Sequence, residues 1–205
     1  MLYSEQRVPT DTSEALMEFD ANRGWHVVQK RLDRTTNARH RQLLEVLRDH
    51  LKAEATSDFD LLLSTLAPDP DYKFWVAGSG FGAGPKGLAA VTAHYQNLYV
   101  EGRHVCEFDI ERLVVDDDCI VTEGWFKQLY PGWVLKLRNA PIDDESAVYM
   151  VTMRLTLFWP FDEGGKLIGE DSYGDGEMFR SDRITKLDPA DIPAEFSLNA
   201  AAPQR

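Results

Sequence analysis

Residues 78–87 read GSGFGAGPKG, and the reading of that stretch decides the fold. Two overlapping windows within it, Gly78/Gly80/Ala83 and Gly82/Gly84/Gly87, satisfy the dinucleotide fingerprint G-x-G-x-x-G/A. A strand-like run, YKFWVA (72–77), precedes it and a helix-like run opening at Pro85 follows, which is the setting the fingerprint requires. A dinucleotide fold must then keep alternating strand and helix so that a parallel sheet forms, with an acidic residue about 20 residues after the glycines. Here one strand and one helix are followed only by hairpins. A P-loop is excluded too, because no window reads G-x-x-x-x-G-K-[ST]. The glycines therefore read as a tight turn between a strand and a helix.

Working outward from that turn, the following helix runs to about Tyr99, with Leu88, Val91, Tyr95 and Leu98 on one stripe and Pro85 in its first turn. Upstream, Leu43, Leu47, His50, Leu51 and Glu54 fall near one face of a 3.6-residue period, which predicts a helix over 38–55. Ser57 with Asp60 resembles a capping box for a second helix, carrying Leu61, Leu62, Leu63 and Leu66 until PDPD (68–71) ends it. Downstream every segment alternates as strands do. The expected strands are 104–115, 118–130, 148–159 and 166–186, joined by DDD, by PGW with a hairpin around NAPIDDES, and by DEGG. Residues 1–36 read as an N-terminal arm and 188–205 as a tail.

Composition narrows the function classes. A chain of 205 residues with 43% hydrophobic residues suits one core domain. Its net charge of −12 argues against nucleic acid and anionic membrane surfaces as partners. The window 30–48 is locally basic, with six Lys and Arg against Asp33 and Glu45, and reads as a solvated helix face or as intersubunit salt bridges. Cys106 and Cys119 lack C-x-x-C spacing and read as small buried hydrophobes. No signal-peptide pattern or apolar run of membrane-spanning length is seen, so a cytoplasmic location is expected.

The order helix, helix, short strand, glycine turn, helix, long antiparallel sheet resembles the nuclear-transport-factor-2-like superfamily over about 37–187. GPKGLAAVTAHYQNLY (84–99) is similar to the G-x-x-A-I-x-x-F-Y helix of its SnoaL-like and ketosteroid-isomerase-like members, and FDEGGKLIGEDSYGD (161–175) to their F-x-x-x-G-K-I-x-E hairpin. The resemblance implies an α+β fold: a cone-shaped, curved antiparallel sheet wrapped around three helices, enclosing an apolar pocket, often in a homodimer or higher homo-oligomer. The positions of the isomerases' oxyanion tyrosine, aspartate base and second oxyanion carboxylate fall at His50, Gly78 and near Leu157, so two of three groups are missing. The R-x-D strand motif of limonene epoxide hydrolases is absent, since Leu155 and Thr156 follow Arg154. SnoaL-like cyclases place an acid/base carboxylate on the last long strand, near Glu170 or Asp171.

The expected catalytic residues are therefore His50, Glu170, Asp171 and Tyr99. A histidine on an apolar stripe is either a satisfied core group or a general base or oxyanion donor. Glu170 and Asp171 lie on opposite strand faces, so one of them must look outward. A carboxylate enclosed in an apolar cone has its ionised form disfavoured and suits proton transfer. Trp75, Phe81, Tyr95, Trp125, Tyr149 and Trp159 are expected to line the cone and hold a small aromatic hydrophobic substrate, with Tyr95 or Tyr99 orienting a substrate hydroxyl. Arg154 is expected either to contact a substrate anion or to pair with Glu123 as scaffold. Segment 78–84 is expected to form a lip carrying Phe81, and 131–146 a second lid or a dimer contact. His94 and His104 lack a third ligand, so no metal and no cofactor are expected.

The activity these features imply is a cofactor-free acid/base lyase acting on an aromatic small molecule. The resemblance extends to branches that remove formaldehyde from lignin-derived diaryl diols. SnoaL-like cyclisation, isomerisation and a non-catalytic binding or dimerisation module are the alternatives.

Overall fold

The computed structural model describes residues 19–75 and 82–196. Five α-helices are present among them: α1 (Arg23–Asp33), α2 (Ala38–Thr56), α3 (Phe59–Ser64), α4 (Leu88–Val100) and α5 (Gly132–Leu137). The strands are β1 (Lys73–Phe74), β2 (Cys106–Val115), β3 (Cys119–Pro131), β4 (Val148–Pro160), β5 (Asp171–Gly174) and β6 (Ile184–Lys186). They form one sheet in the order β1-β5-β4-β3-β2, with β6 also pairing β4. All pairs are antiparallel except β1 with β5. This is the expected α+β architecture, a curved and unclosed sheet over helices, with the expected short strand before the glycines pairing parallel to β5.

The helix α2 is closed at both ends by local chemistry. Asn37 accepts from His40 N at 3.0 Å, and Ser57 ends the helix in the left-handed region at φ 58°. Ser57 is thus a terminator and not the cap of α3, whose first turn is held by Asp58 accepting from Leu61 N. The buried face of α2 carries Leu43, Leu44, Leu47, His50 and Leu51. It packs against Val28 and Leu32 of α1 and against the concave face of the sheet, where Phe108, Met153, Leu155, Leu157 and Trp159 complete the core.

The sheet curls because β2 and β3 meet irregularly. Their register shifts between Ile110 and Arg112, and a bulge of this kind bends the strand that carries it. Opposite lies Gly124, where a Cβ would sit 1.9 Å from Asp109 O, so only a glycine permits the close approach. From there β3 and β4 pair without interruption from Cys119↔Pro160 to Pro131↔Val148.

Several boundaries differ from expectation. Residues 82–85 lie back along β1: Gly82 N donates to Phe74 O at 3.0 Å and Tyr72 N to Pro85 O at 3.1 Å. Pro85 therefore precedes α4, which starts after Gly87. A Cβ at Gly84 would lie 2.1 Å from Tyr72 O, which explains the glycine without a nucleotide. The long strand expected over 166–186 is broken into β5 and β6, because 167–170 bonds to the loop before β1 and Gly176 takes φ 127°. PGW opens the helix α5, whose Val134 and Leu135 form a small core with Tyr130, Tyr149 and Val151. Tyr149 belongs to that core, bonded to Asp143 at 2.6 Å, rather than to the cone.

The basic window 30–48 is absorbed within the chain. Arg39 donates to the carbonyls of Asp117, Asp162 and Glu163, and Arg41 to those of Leu32 and Thr35 at the end of α1. Cys106 and Cys119 are half-buried rather than buried, and burial pushes both thiols up. Among the described residues, no helix is long and apolar enough to cross a membrane.

Candidate active site

Between α2, α4 and the concave sheet face lies a cavity of about 670 Å³. Its middle is apolar, walled by Leu62, Phe108, Phe126, Met153, Leu155 and Leu157. At one end Glu54, Tyr95 and Glu170 line the wall with buried His50, Thr65 and Tyr72 behind them, a polar group delivered by five separate segments. His50 and Glu54 come from successive turns of α2, Thr65 from the end of α3, Tyr72 from the approach to β1, Tyr95 from α4, and Glu170 from the residue before β5.

Their hydrogen bonds form a directed chain. Thr65 Oγ1 donates to Leu62 O at 2.6 Å, so its contact with His50 Nδ1 at 2.7 Å requires the hydrogen to sit on Nδ1. His50 Nε2 lies 3.0 Å from Glu170 Oε1 and 3.2 Å from the Tyr95 hydroxyl. That hydroxyl donates to the same carboxylate oxygen at 2.7 Å, which leaves Tyr72 as donor in its 3.2 Å contact with Tyr95. The network is complete when His50 carries both ring hydrogens and Glu170 is ionised.

The electrostatics agree in direction. Burial lowers the pKa of fully enclosed His50, but the hydrogen bond to Glu170 and the charges of Glu54 and Glu170 outweigh it, and the net result is raised. Burial raises Glu170, yet its bond and charge contact with His50 and the tyrosine hydroxyls bring it below the usual value. Glu54, with an oxygen 3.9 Å from His50 Nε2, has no such direct bond to the imidazole, and burial lifts it to about 7. Burial also pushes the Tyr72 and Tyr95 phenols well above their ordinary range, so both stay donors at neutral pH. The cluster thus holds a fixed imidazolium–carboxylate pair, two neutral hydroxyls, and one carboxyl balanced between its protonated and ionised forms.

His50, Tyr95 and Glu170 are brought together as the sequence reading expected, and Trp159 lines the same cavity, its ring 5.9 Å from His50 and its Nε1 donating to Thr122 at 2.8 Å. Tyr99 is also in the wall, but it stacks on His104 at 4.4 Å and is not part of the His50 network. Asp171 is the member of the carboxylate pair that looks away, forming a 3.6 Å ion pair with Lys73. Trp75 stacks on Tyr173 and is 43% exposed, outside the cavity. Trp125 and Arg154 face the opposite side of the sheet: the guanidinium lies 5.0 Å over the indole and pairs with Glu111 and Glu123, the scaffold arrangement. Strand alternation explains this, since Phe126 and Met153, their neighbours in sequence, take the concave face. Phe81 lies outside the described residues.

Glu54, Thr65 and Tyr72 were missed. Glu54 had a signal, because a residue four after His50 on a helix shares its face. Thr65 and Tyr72 had none. His50, Glu54 and Glu170 also place three donor atoms within 4.8 Å of one another, a set a divalent cation could take if Nε2 released its hydrogen. The exposed trio His40, Asp116 and Asp117 has similar spacing.

No family model and no curated protein matches this chain. Solved structures share its fold. A protein named as a SnoaL-like polyketide cyclase from Jannaschia sp. CCS1 is 15% identical, with 69% of this chain and 91% of that one covered at a TM-score of 0.51. One of the same name from Shewanella denitrificans OS-217 is 16% identical over 65% and 90%, at 0.50. An NTF2-like protein of unknown function from Burkholderia pseudomallei K96243 is 16% identical over 65% and 91%, at 0.47. At these identities the likeness is one of fold.

Proposed function

We propose that this protein is a cofactor-independent acid/base lyase for an elongated aromatic small molecule. The observation that carries the reading is the convergence of Glu54, Tyr95 and Glu170 on one end of a large apolar cavity, with buried His50 directly behind them and bonded to Glu170. An elimination needs a base to take a proton and an acid to protonate the departing oxygen. Glu54 in its ionised form is the base, and the Tyr95 hydroxyl is the acid, its proton replaced by the imidazolium of His50 3.2 Å behind it. Groups whose surroundings push their pKa values apart divide the roles in this way.

The specific reaction we assign is loss of formaldehyde from a 1,2-diarylpropane-1,3-diol. Glu54 removes the proton of the primary hydroxyl and the C–O bond becomes the carbonyl of formaldehyde. The adjoining C–C bond breaks, its electron pair forms the alkene, and the secondary hydroxyl leaves as water on receiving the Tyr95 proton, which His50 replaces. Diol in, stilbene, formaldehyde and water out, the atoms balance without an oxidant. A SnoaL-like cyclisation is the second reading, favoured by the Jannaschia likeness in fold; it would conserve substrate mass.

The test is to incubate the purified protein with such diols in the presence of a chelator, following stilbene absorbance and free formaldehyde. Turnover that survives chelation and is lost in Glu54→Gln and His50→Gln supports the lyase. Binding without turnover of any aromatic would instead identify a non-catalytic binding module, and activity removed by the chelator would reassign His50, Glu54 and Glu170 to a metal.

A further inference from the structure

The cavity has a second polar end, remote from His50. Arg103, His104, Gln128, Tyr130 and Arg138 all line it there. The separation follows from the register. Thr122, which bonds Trp159 beside His50, and Gln128 are six residues apart on β3, about 20 Å of extended strand before the curl shortens it.

The charges at this end do not balance among the described residues. Arg103 and Arg138 both bond the same oxygen, Glu101 Oε2, the latter at 2.9 Å, so two guanidiniums share one carboxylate. That carboxyl is held below its ordinary value: burial works against this, but the hydrogen bond and charge of Arg103 and those of Arg138 prevail. Polar atoms are also left over. His104 Nδ1 is buried with no hydrogen-bond partner, its ring stacked on Tyr99. Gln128, 7% exposed, uses Nε2 on Arg103 O at 2.7 Å and its oxygen on the Tyr130 hydroxyl, which leaves one amide N–H unassigned. A surplus positive charge beside a spare amide N–H in a partly exposed wall is a receptor for an anion, and paired guanidiniums match the two oxygens of a carboxylate.

We infer that this end is a carboxylate-binding site, and that the molecule filling the cavity carries a carboxylate at one end and its reacting carbons at the other, with at least two ring systems between. Arg138 comes from the segment that closes α5, so the 131–146 insertion acts as part of the wall that selects the substrate. Only the identification of the occupant as substrate rests on the lyase reading; the site itself stands on geometry and is testable without turnover.

The probe is trans-stilbene-4-carboxylate against its methyl ester, with affinities measured by titration calorimetry on the full chain. The acid should bind at least tenfold more tightly than the ester, and Arg138→Gln should cut that preference to less than threefold. Glu101→Gln, which removes the competing carboxylate, should move the preference the other way and increase it. Both positions are partly exposed, so the pair reports even if one variant folds poorly. Equal binding of acid and ester by the parent, binding of neither, or a preference unchanged in both variants overturns the site. Selective acid binding with no lyase activity on any diol would leave the carboxylate site standing and remove the proposed reaction.

Discussion

Two clusters of buried charge sit on opposite sides of the same sheet and differ in kind. Glu170 meets His50 and two tyrosines at the cavity end. Glu107, fully buried behind β2, accepts from Lys127 Nζ at 3.1 Å, from the Asp20 backbone N at 2.6 Å, and pairs with Arg23 Nε at 2.9 Å. In the second cluster the cations belong to Lys and Arg, and the site opens onto no cavity. It pins the start of α1 against the edge strand. In the first, the partners are an imidazole and hydroxyls, and the neighbouring Glu54 carboxyl, lifted to about 7, lines a space large enough for a ligand. Burial alone therefore does not mark chemistry; burial together with partners that can exchange protons, and room for a reactant, does.

That contrast can be broken experimentally. The largest effect should come from Glu170→Gln, which removes the counter-charge of His50. We expect turnover to fall by about 10² to 10⁴ with ligand binding retained, measured by single-turnover kinetics beside calorimetry. If rate is kept and only stability falls, the cavity cluster is a structural pin like the other.

Next, Glu107→Ala should cost about 3–5 kcal/mol in denaturant unfolding, because it removes the buried carboxylate that Lys127, Arg23 and the Asp20 N–H all bond. The activity of the fraction still folded should stay close to the parent's. A variant of full stability and no activity would overturn the distinction from the other side.

Glu54 sharpens it through pH. Its folded value is raised from 4.5 to about 7, so between those values the folded chain keeps a proton that the unfolded chain has lost. The stability this contributes is complete below about 4.5 and fades as pH rises through about 7. Glu54→Gln should flatten that slope and, at pH 8, melt with a stability roughly 1–3 kcal/mol above the parent's. Over the same range parent activity should climb as Glu54 ionises, while the variant stays inactive at every pH. A parent rate that is flat between pH 5 and 8 would remove Glu54 from the base role.

The smallest effect is expected at Arg154→Ala. Its pairs with Glu111 and Glu123 are partly exposed on the outer face, so stability should change by about 0–1 kcal/mol and turnover not at all. A fall in kcat would return Arg154 to the substrate-binding role that its sequence position suggested.

Much of the fold was legible because it is local. The stripe of α2 and the alternation of β2, β3 and β4 depend on neighbours two to four residues apart, and all were found near their observed limits. The break of the final strand was not, since what stops it is the backbone of 66–73 occupying its hydrogen-bonding edge, a segment about a hundred residues away. Trp75 and Trp125 were misplaced for a related reason. An aromatic residue's presence in a strand is visible in sequence, but which face is concave depends on the direction the whole sheet curls.

The sequence by itself determined the stripe of α2, the three long strands and the presence of a histidine on a buried helical stripe, because periodicity and backbone freedom act over a few residues. Only the tertiary structure decided that His50 meets Thr65, Tyr95 and Glu170, partners 15, 45 and 120 residues away. It also chose Glu170 over Asp171 and recruited Glu54. The physical reason is that the bulge at Ile110 and the bare backbone at Gly124 bend the sheet over α2, and that bend sets which side chains share a low-dielectric space and so which protons can move.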